Sequence, residues 1–251
     1  PTLTTASTNV NDAFTVTATF TTAVSGVVAS DFAVNSGSVT VDTSTPTPTG
    51  GAPATVWEMT VTPTSSLESE SITVGAMAEA SGSISPVNAA SNGLTIAYDP
   101  PTPVFSSTVS NGGNFPESTL VVTMTFDVAV TGVTEADFQL TSDSGTTFTT
   151  AMTGSGTTYE LTVTITGDRA PTVFTFGSLA ESAGAISPPN EAMASNFVAN
   201  YAPPTPVLTG SVSDGATQYS PTLTFTLDFG TDVSGVTEAT FGLDTGSLSP
   251  S

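Results

Sequence analysis

One stretch constrains this chain more than any other, because it occurs three times without a gap. Phe14 to Phe32 reads FTVTATFTTAVSGVVASDF, Leu120 to Phe138 reads LVVTMTFDVAVTGVTEADF, and Leu223 to Phe241 reads LTFTLDFGTDVSGVTEATF. Phe20, Phe126 and Phe229 each stand four residues before a valine, and Gly26, Gly132 and Gly235 each stand six residues before Phe32, Phe138 and Phe241. Self-similarity at a fixed spacing is the mark of a repeat architecture. Each copy opens with strict alternation: Phe14, Val16, Ala18 and Phe20 fall on one face, Thr15, Thr17 and Thr19 on the other. A period of two describes a strand with one buried face. The glycine that follows predicts a turn, since it takes positive φ at no steric cost.

Gly132 and Gly235 stand 103 residues apart, the size of one β-sandwich of roughly 100 residues. The expected division is a first sandwich over 1–100, a second over 101–204 and the N-terminal part of a third over 205–251. About seven short strands per unit are expected. In unit one they are an edge strand from Pro1 to Thr8, the alternating strand from Phe14, short strands at Asp31 to Val34 and Ser38 to Asp42, then Ala54 to Thr62, Ser71 to Met77, and a last strand holding Leu94, Ile96 and Tyr98. Thr43 to Pro53 reads as a loop from its proline and glycine. Unit two opens with a strand from Pro103 to Val109, and Tyr159, Leu161 and Val163 answer Trp57, Met59 and Val61. The joints, Asp99-Pro-Pro-Thr-Pro103 and Ala202-Pro-Pro-Thr-Pro206, predict short, semi-rigid linkers and an elongated row of units. The expected core and structural positions are Phe14, Phe20, Gly26, Phe32, Trp57, Tyr98, Leu120, Phe126, Gly132, Phe138, Tyr159, Tyr201, Phe229, Gly235 and Phe241. The chain reads as a segment of a longer array. Its third unit is completed either by chain that follows or by a neighbour's strand.

Charge removes several function classes. Lys and Arg together number 1, Asp and Glu 22, and the single base is Arg169. The acids are spread evenly, net −8 for 1–100, −8 for 101–204 and −5 for 205–251. Such a surface cannot neutralise phosphates, which argues against nucleic acid and anionic membrane as partners. Even negative charge keeps an array soluble. There is no Cys and no His, so thiolate nucleophiles, the usual bases and zinc ligands are missing. No apolar run approaches the ~20 residues of a membrane span. The recurring acids, Glu58 with Glu160 and Glu79 with Glu181, are split between units, which reads as structural placement and not as a carboxylate pair for glycoside hydrolysis.

The alternating strand ending at Phe20 or Phe126, the Val-Ser-Gly-Val or Val-Thr-Gly-Val turn, Ser30-Asp31-Phe32 or Ala136-Asp137-Phe138, the strands TVWEMTVTP and TTYELTVTI, and the Ser-Asn and Tyr98 or Tyr201 endings together resemble the bacterial Ig-like domains found in tandem in surface adhesins and extracellular filament proteins. The resemblance implies all-β, tandem Ig-like Greek-key sandwiches and a spacer or stalk at the cell surface, sometimes stiffened by calcium. Unit three departs from it at Thr240, where the others carry Asp31 and Asp137.

Two site expectations remain. Hard oxygen ligands suit calcium, and Asp12, Asp31, Asp99, Asp127 and Asp137 are the candidates. The competing reading is turn capping by Asp. Thr43, Thr45, Thr47 and Thr49 lie in a stretch rich in threonine and proline and suit O-linked sugars, or stay an unmodified polar loop. No other cofactor and no catalytic residue is expected. The chain therefore reads as a non-catalytic extracellular structural protein, a stalk or filament segment whose partners are its own neighbouring repeats and like chains. The alternatives are a self-assembling fibre subunit completed by strand addition in trans, and a carbohydrate-binding module, which needs exposed aromatics on one face.

Overall fold

The computed structural model describes residues 1–37, 39–65, 69–167, 170–211, 213, 215 and 222–237. It is all-β, with two buried cores that share no residue: one spans Leu3 to Tyr98, the other Phe115 to Tyr201.

In unit one the strands are β1 (Thr2–Thr5), β2 (Asn9–Val10), β3 (Phe14–Val24), β4 (Val34–Asn35), β5 (Thr40–Thr43), β6 (Thr47–Pro48), β7 (Ala54–Ser65), β8 (Glu70–Val74) and β9 (Leu94–Tyr98). One sheet has the order β1-β3-β7-β5, with β6 also on β7, and the other the order β2-β9-β8-β4. The alternation read in the sequence sets which side chains meet between them. Phe14, Val16, Ala18 and Phe20 of β3 and Trp57, Met59 and Val61 of β7 join Ile72, Val74, Ile96 and Tyr98 of the facing sheet in one core. The unit is a β-sandwich, and threonines take the outer face of β3.

Unit two repeats this with β10 (Pro103–Ser107), β11 (Gly113–Phe115), β12 (Thr119–Val130), β13 (Leu140–Ser142), β14 (Phe148–Ile165), β15 (Thr172–Phe176) and β16 (Phe197–Tyr201). Its sheets run β10-β12-β14 and β11-β16-β15-β13. The 18-residue β14 doubles back on itself. Thr147 accepts bonds from the Thr166 and Gly167 amides, and Gly154, at φ 118°, lies against the Thr158 carbonyl. Its core is richer in aromatic rings: Phe126 and Tyr159 meet edge to face at 6.2 Å, and Phe105 lies 5.8 Å from Phe138.

The structure departs from the sequence expectations in four places. Asp31 to Val34 is not a strand: Ala29–Phe32 is a 3-10 turn, and only then does β4 begin. The Asp31 carboxylate accepts the Val28 amide at 2.9 Å and so offers the backbone a local partner in place of a ladder. Glu135–Phe138 does the same in unit two, with Asp137 accepting the Thr134 amide at 2.7 Å. Second, the expected loop from Thr43 holds the short strand β6, with Pro46 buried beneath exposed Thr45 and Thr47. Third, the first edge strand splits: β1 pairs antiparallel with β3, and β2 crosses to pair parallel with β9. Fourth, the third unit's described residues form only the hairpin β17 (Val207–Gly210) with β18 (Phe225–Asp228). Leu223 and Phe225 are exposed there and Phe229 is half-buried, since no second sheet covers them among the described residues; Phe241 and Thr240 lie outside those residues.

Candidate functional site

The Val-Ser-Gly-Val turn, Val-Thr-Gly-Val in unit two, and a second recurring segment, Ile84-Ser85-Pro86 and Ile186-Ser187-Pro188, form one device. Ser25 and Ser85 exchange both backbone hydrogen bonds at 2.8 and 3.0 Å, and Thr131 and Ser187 do the same at 2.8 and 3.0 Å. Gly26 and Gly132 carry φ of 80° and 84°, and a Cβ on either would overlap the backbone carbonyl oxygen of Ser83 or Ala185. Only glycine fits both the turn and the close approach. The same loop is knit from inside by an asparagine. Asn190 is fully buried; its side-chain amide donates to Ala180 and Glu191 carbonyls at 2.9 and 2.6 Å, and its carbonyl oxygen accepts the Ala183 amide at 3.1 Å. Asn88 does the equivalent in unit one. Sequence reasoning missed both. The available signal was Asn two residues after the aligned Pro86 and Pro188.

The first joint is where the units touch. Pro100, Pro101 and Pro103 are buried, and Tyr98, just before them, is 1% exposed. The Pro101 carbonyl accepts the Glu191 amide at 2.9 Å, and the Thr102 amide donates to Asp127 at 2.7 Å. The Glu191 carboxylate accepts the Thr102 hydroxyl at 3.3 Å and the Ser69 amide of unit one at 3.2 Å. Ser69 also donates its hydroxyl to Asp99. One carboxylate thus grips both the preceding unit and the linker. Unit one carries Ala89 and Thr21 at the positions of Glu191 and Asp127. Beside the joint lies an open cleft of about 550 Å³ bounded by Val10, Tyr98, Asp99 and Val128. Burial, then the charges of Asp12, Glu191 and Glu181, push the Tyr98 hydroxyl up to about 12. Its counterpart, the Tyr201 hydroxyl, is buried with no hydrogen-bond partner among the described residues.

The five aspartates named as calcium candidates are not gathered. Asp31 and Asp137 cap separate 3-10 turns, and Asp31 also accepts the Ser81 hydroxyl at 2.8 Å. Asp99 and Asp127 bond the joint, and Asp12 accepts the Ala13 amide at 2.7 Å. Among the described residues no three Asp, Glu, His or Cys come together in a way that could hold a metal ion. Thr43, Thr45, Thr47 and Thr49 are all exposed. Trp57 is 5% exposed, and its ring N–H donates to the Ala54 carbonyl at 3.2 Å, so it offers no open face to a sugar. Arg169 lies outside the described residues.

No protein-family model matches the chain, and no curated protein or solved structure does either.

Proposed function

We propose that the chain is a non-catalytic extracellular structural protein, a stalk or filament segment of tandem Ig-like domains that spaces and bears load in a surface adhesin or appendage. The observation that carries this reading is the first joint. Buried prolines and the Glu191 and Asp127 carboxylates tie two similar sandwiches end to end with no long linker between them. A chain that only needed to tether two modules would gain nothing from such a joint, whereas one that sets a distance depends on it. Strand order supports the Ig-like assignment. The orders β1-β3-β7-β5 and β2-β9-β8-β4 correspond to the A-B-E-D and G-F-C sheets of that fold, with a split first strand.

A second reading, a fibre subunit whose third unit is completed by another chain's strand, draws on the exposed Val207, Leu208, Leu223 and Phe225 of the last hairpin. Electron microscopy of the native source, with an antibody to this chain, tests both. Labelled surface threads with evenly spaced beads support the stalk; a foreign strand filling the third unit supports the fibre. Label confined to the cell interior, on isolated particles, defeats both.

A further inference from the structure

The two units treat one sheet edge differently. In unit one, Leu3 turns its N–H and C=O away from β3, and Asn92 closes that edge by accepting the amide at 2.8 Å and donating to the carbonyl at 3.0 Å. Leu3 stands opposite Ala18, two residues before Phe20; Phe105 stands opposite Met124, two residues before Phe126. The shared register therefore turns the N–H and C=O of Phe105 outward from β12 as well. Among the described residues no clamp meets them. Asn196, the counterpart of Asn92, accepts the Ser178 amide at 2.7 Å instead, and its backbone carbonyl is held by Asn111 at 3.1 Å. The cause lies in the connection. Ten residues separate Phe105 from Phe115, where seven separate Leu3 from Val10, and the longer loop brings in Asn111. What remains beside β10 is a groove of about 380 Å³ walled by Phe105, Val109, Met193 and Phe197.

We propose that this groove is a strand-addition site, where an extended segment of a separate protein ladders onto β10. An open strand edge next to apolar side chains supplies both elements of that mode of recognition: backbone bonds for affinity and pockets for alternate side chains. Charge selects the occupant. A second copy of this chain brings a net charge of −21 towards a unit that is itself −8, and like fields of that size oppose association. The segment that fits is apolar at alternate positions and basic between them.

The test uses the full chain, uniformly labelled with 15N, and the probe acetyl-Lys-Val-Lys-Val-Lys-Val-amide. A second version of the probe is N-methylated at every residue and cannot donate a ladder bond. In the free chain the Phe105 amide should exchange faster than those of its ladder-bonded neighbours Val104 and Ser106. Added probe should slow it, and the methylated probe should bind about tenfold more weakly, the worth of one or two backbone bonds. Ser107→Pro removes an outward-facing N–H from the same edge, where proline is tolerated, and should weaken the unmethylated probe by a similar factor. Equal binding of both probes would reduce the effect to charge alone and overturn the proposal. A Phe105 amide already protected in dilute free chain would overturn it too. Protection that grows with chain concentration would make the occupant a second copy and refute the basic partner.

Discussion

Gly26→Ala is the sharpest test of how the repeat is built, because its cost divides into two parts that a control separates. The first is conformational: φ is 80°, and an L residue pays about 1–2 kcal/mol to stand there. The second is the overlap of the new Cβ with the Ser83 carbonyl, which only a shift of that backbone relieves. Such a shift pulls apart the reciprocal Ser25–Ser85 bonds, worth about 0.5–1.5 kcal/mol each. The total is roughly 2–5 kcal/mol. Gly50 has a φ of 88° with nothing within 4 Å of a built Cβ, so Gly50→Ala should show the conformational part alone. The single Trp57 sits in the core of unit one, and its fluorescence during urea unfolding reports that unit. Gly26→Ala should lower the midpoint by about 1 M or more at an m-value of 1–3 kcal/mol/M, clearly further than Gly50→Ala. Gly132→Ala, in the other core, should leave the Trp57 transition in place. Equal shifts for Gly26→Ala and Gly50→Ala would mean that the bridge between turn and loop contributes nothing, and the account of why the two motifs recur together would fall.

Four further outcomes are expected. Phe126→Ala, removing a 1% exposed ring that meets Tyr159 edge to face, should cost about 3–5 kcal/mol in chemical denaturation; a cost under about 1 would displace it from the core. Glu191→Ala should leave both units folded by circular dichroism but broaden the distance distribution in small-angle scattering, and an unchanged profile would show that the carboxylate does not hold the joint. Tyr98 has a hydroxyl raised from 10 to about 12 in the folded chain. Folded chain therefore keeps a proton that unfolded chain releases, so stability is full below pH 10 and falls as pH climbs towards 12; absorbance of tyrosinate titrating near 10 at this position would contradict it. Calcium and magnesium at equal ionic strength should raise the melting temperature equally by screening the acidic surface, and a saturable effect of calcium alone, reversed by EDTA, would show a specific site.

Much of the sandwich was legible because alternation is local. The faces of β3, β7 and β12 follow from which residues stand two apart, and Phe14, Phe20, Trp57 and Phe126 are buried accordingly. What was illegible depends on which distant group a backbone atom meets. Ser30-Asp31-Phe32 has the composition of a strand start, yet the Asp31 carboxylate bonds back to Val28 and winds the chain instead. Nothing in Pro1 to Val10 announces that the chain changes sheets midway, since that choice is made by β9, some ninety residues on. The joint was visible as prolines; its grip was not, because Glu191 and Ser69 are 122 residues apart and look like ordinary surface residues.

The sheet change has a mechanical consequence. By crossing over, the chain ends each unit's entry on a strand that runs parallel to its exit strand: β2 on β9, β11 on β16. When such a unit is stretched by its two ends, parallel neighbours are drawn past each other lengthwise. The bonds between them, Ala97 to Thr8 and Asp99 to Val10 in unit one, are then strained together and must fail together. Antiparallel entry and exit strands would peel apart one bond at a time under the same tension. A row of units closed in this way resists extension in shear until a common rupture force, and then yields one whole unit at once.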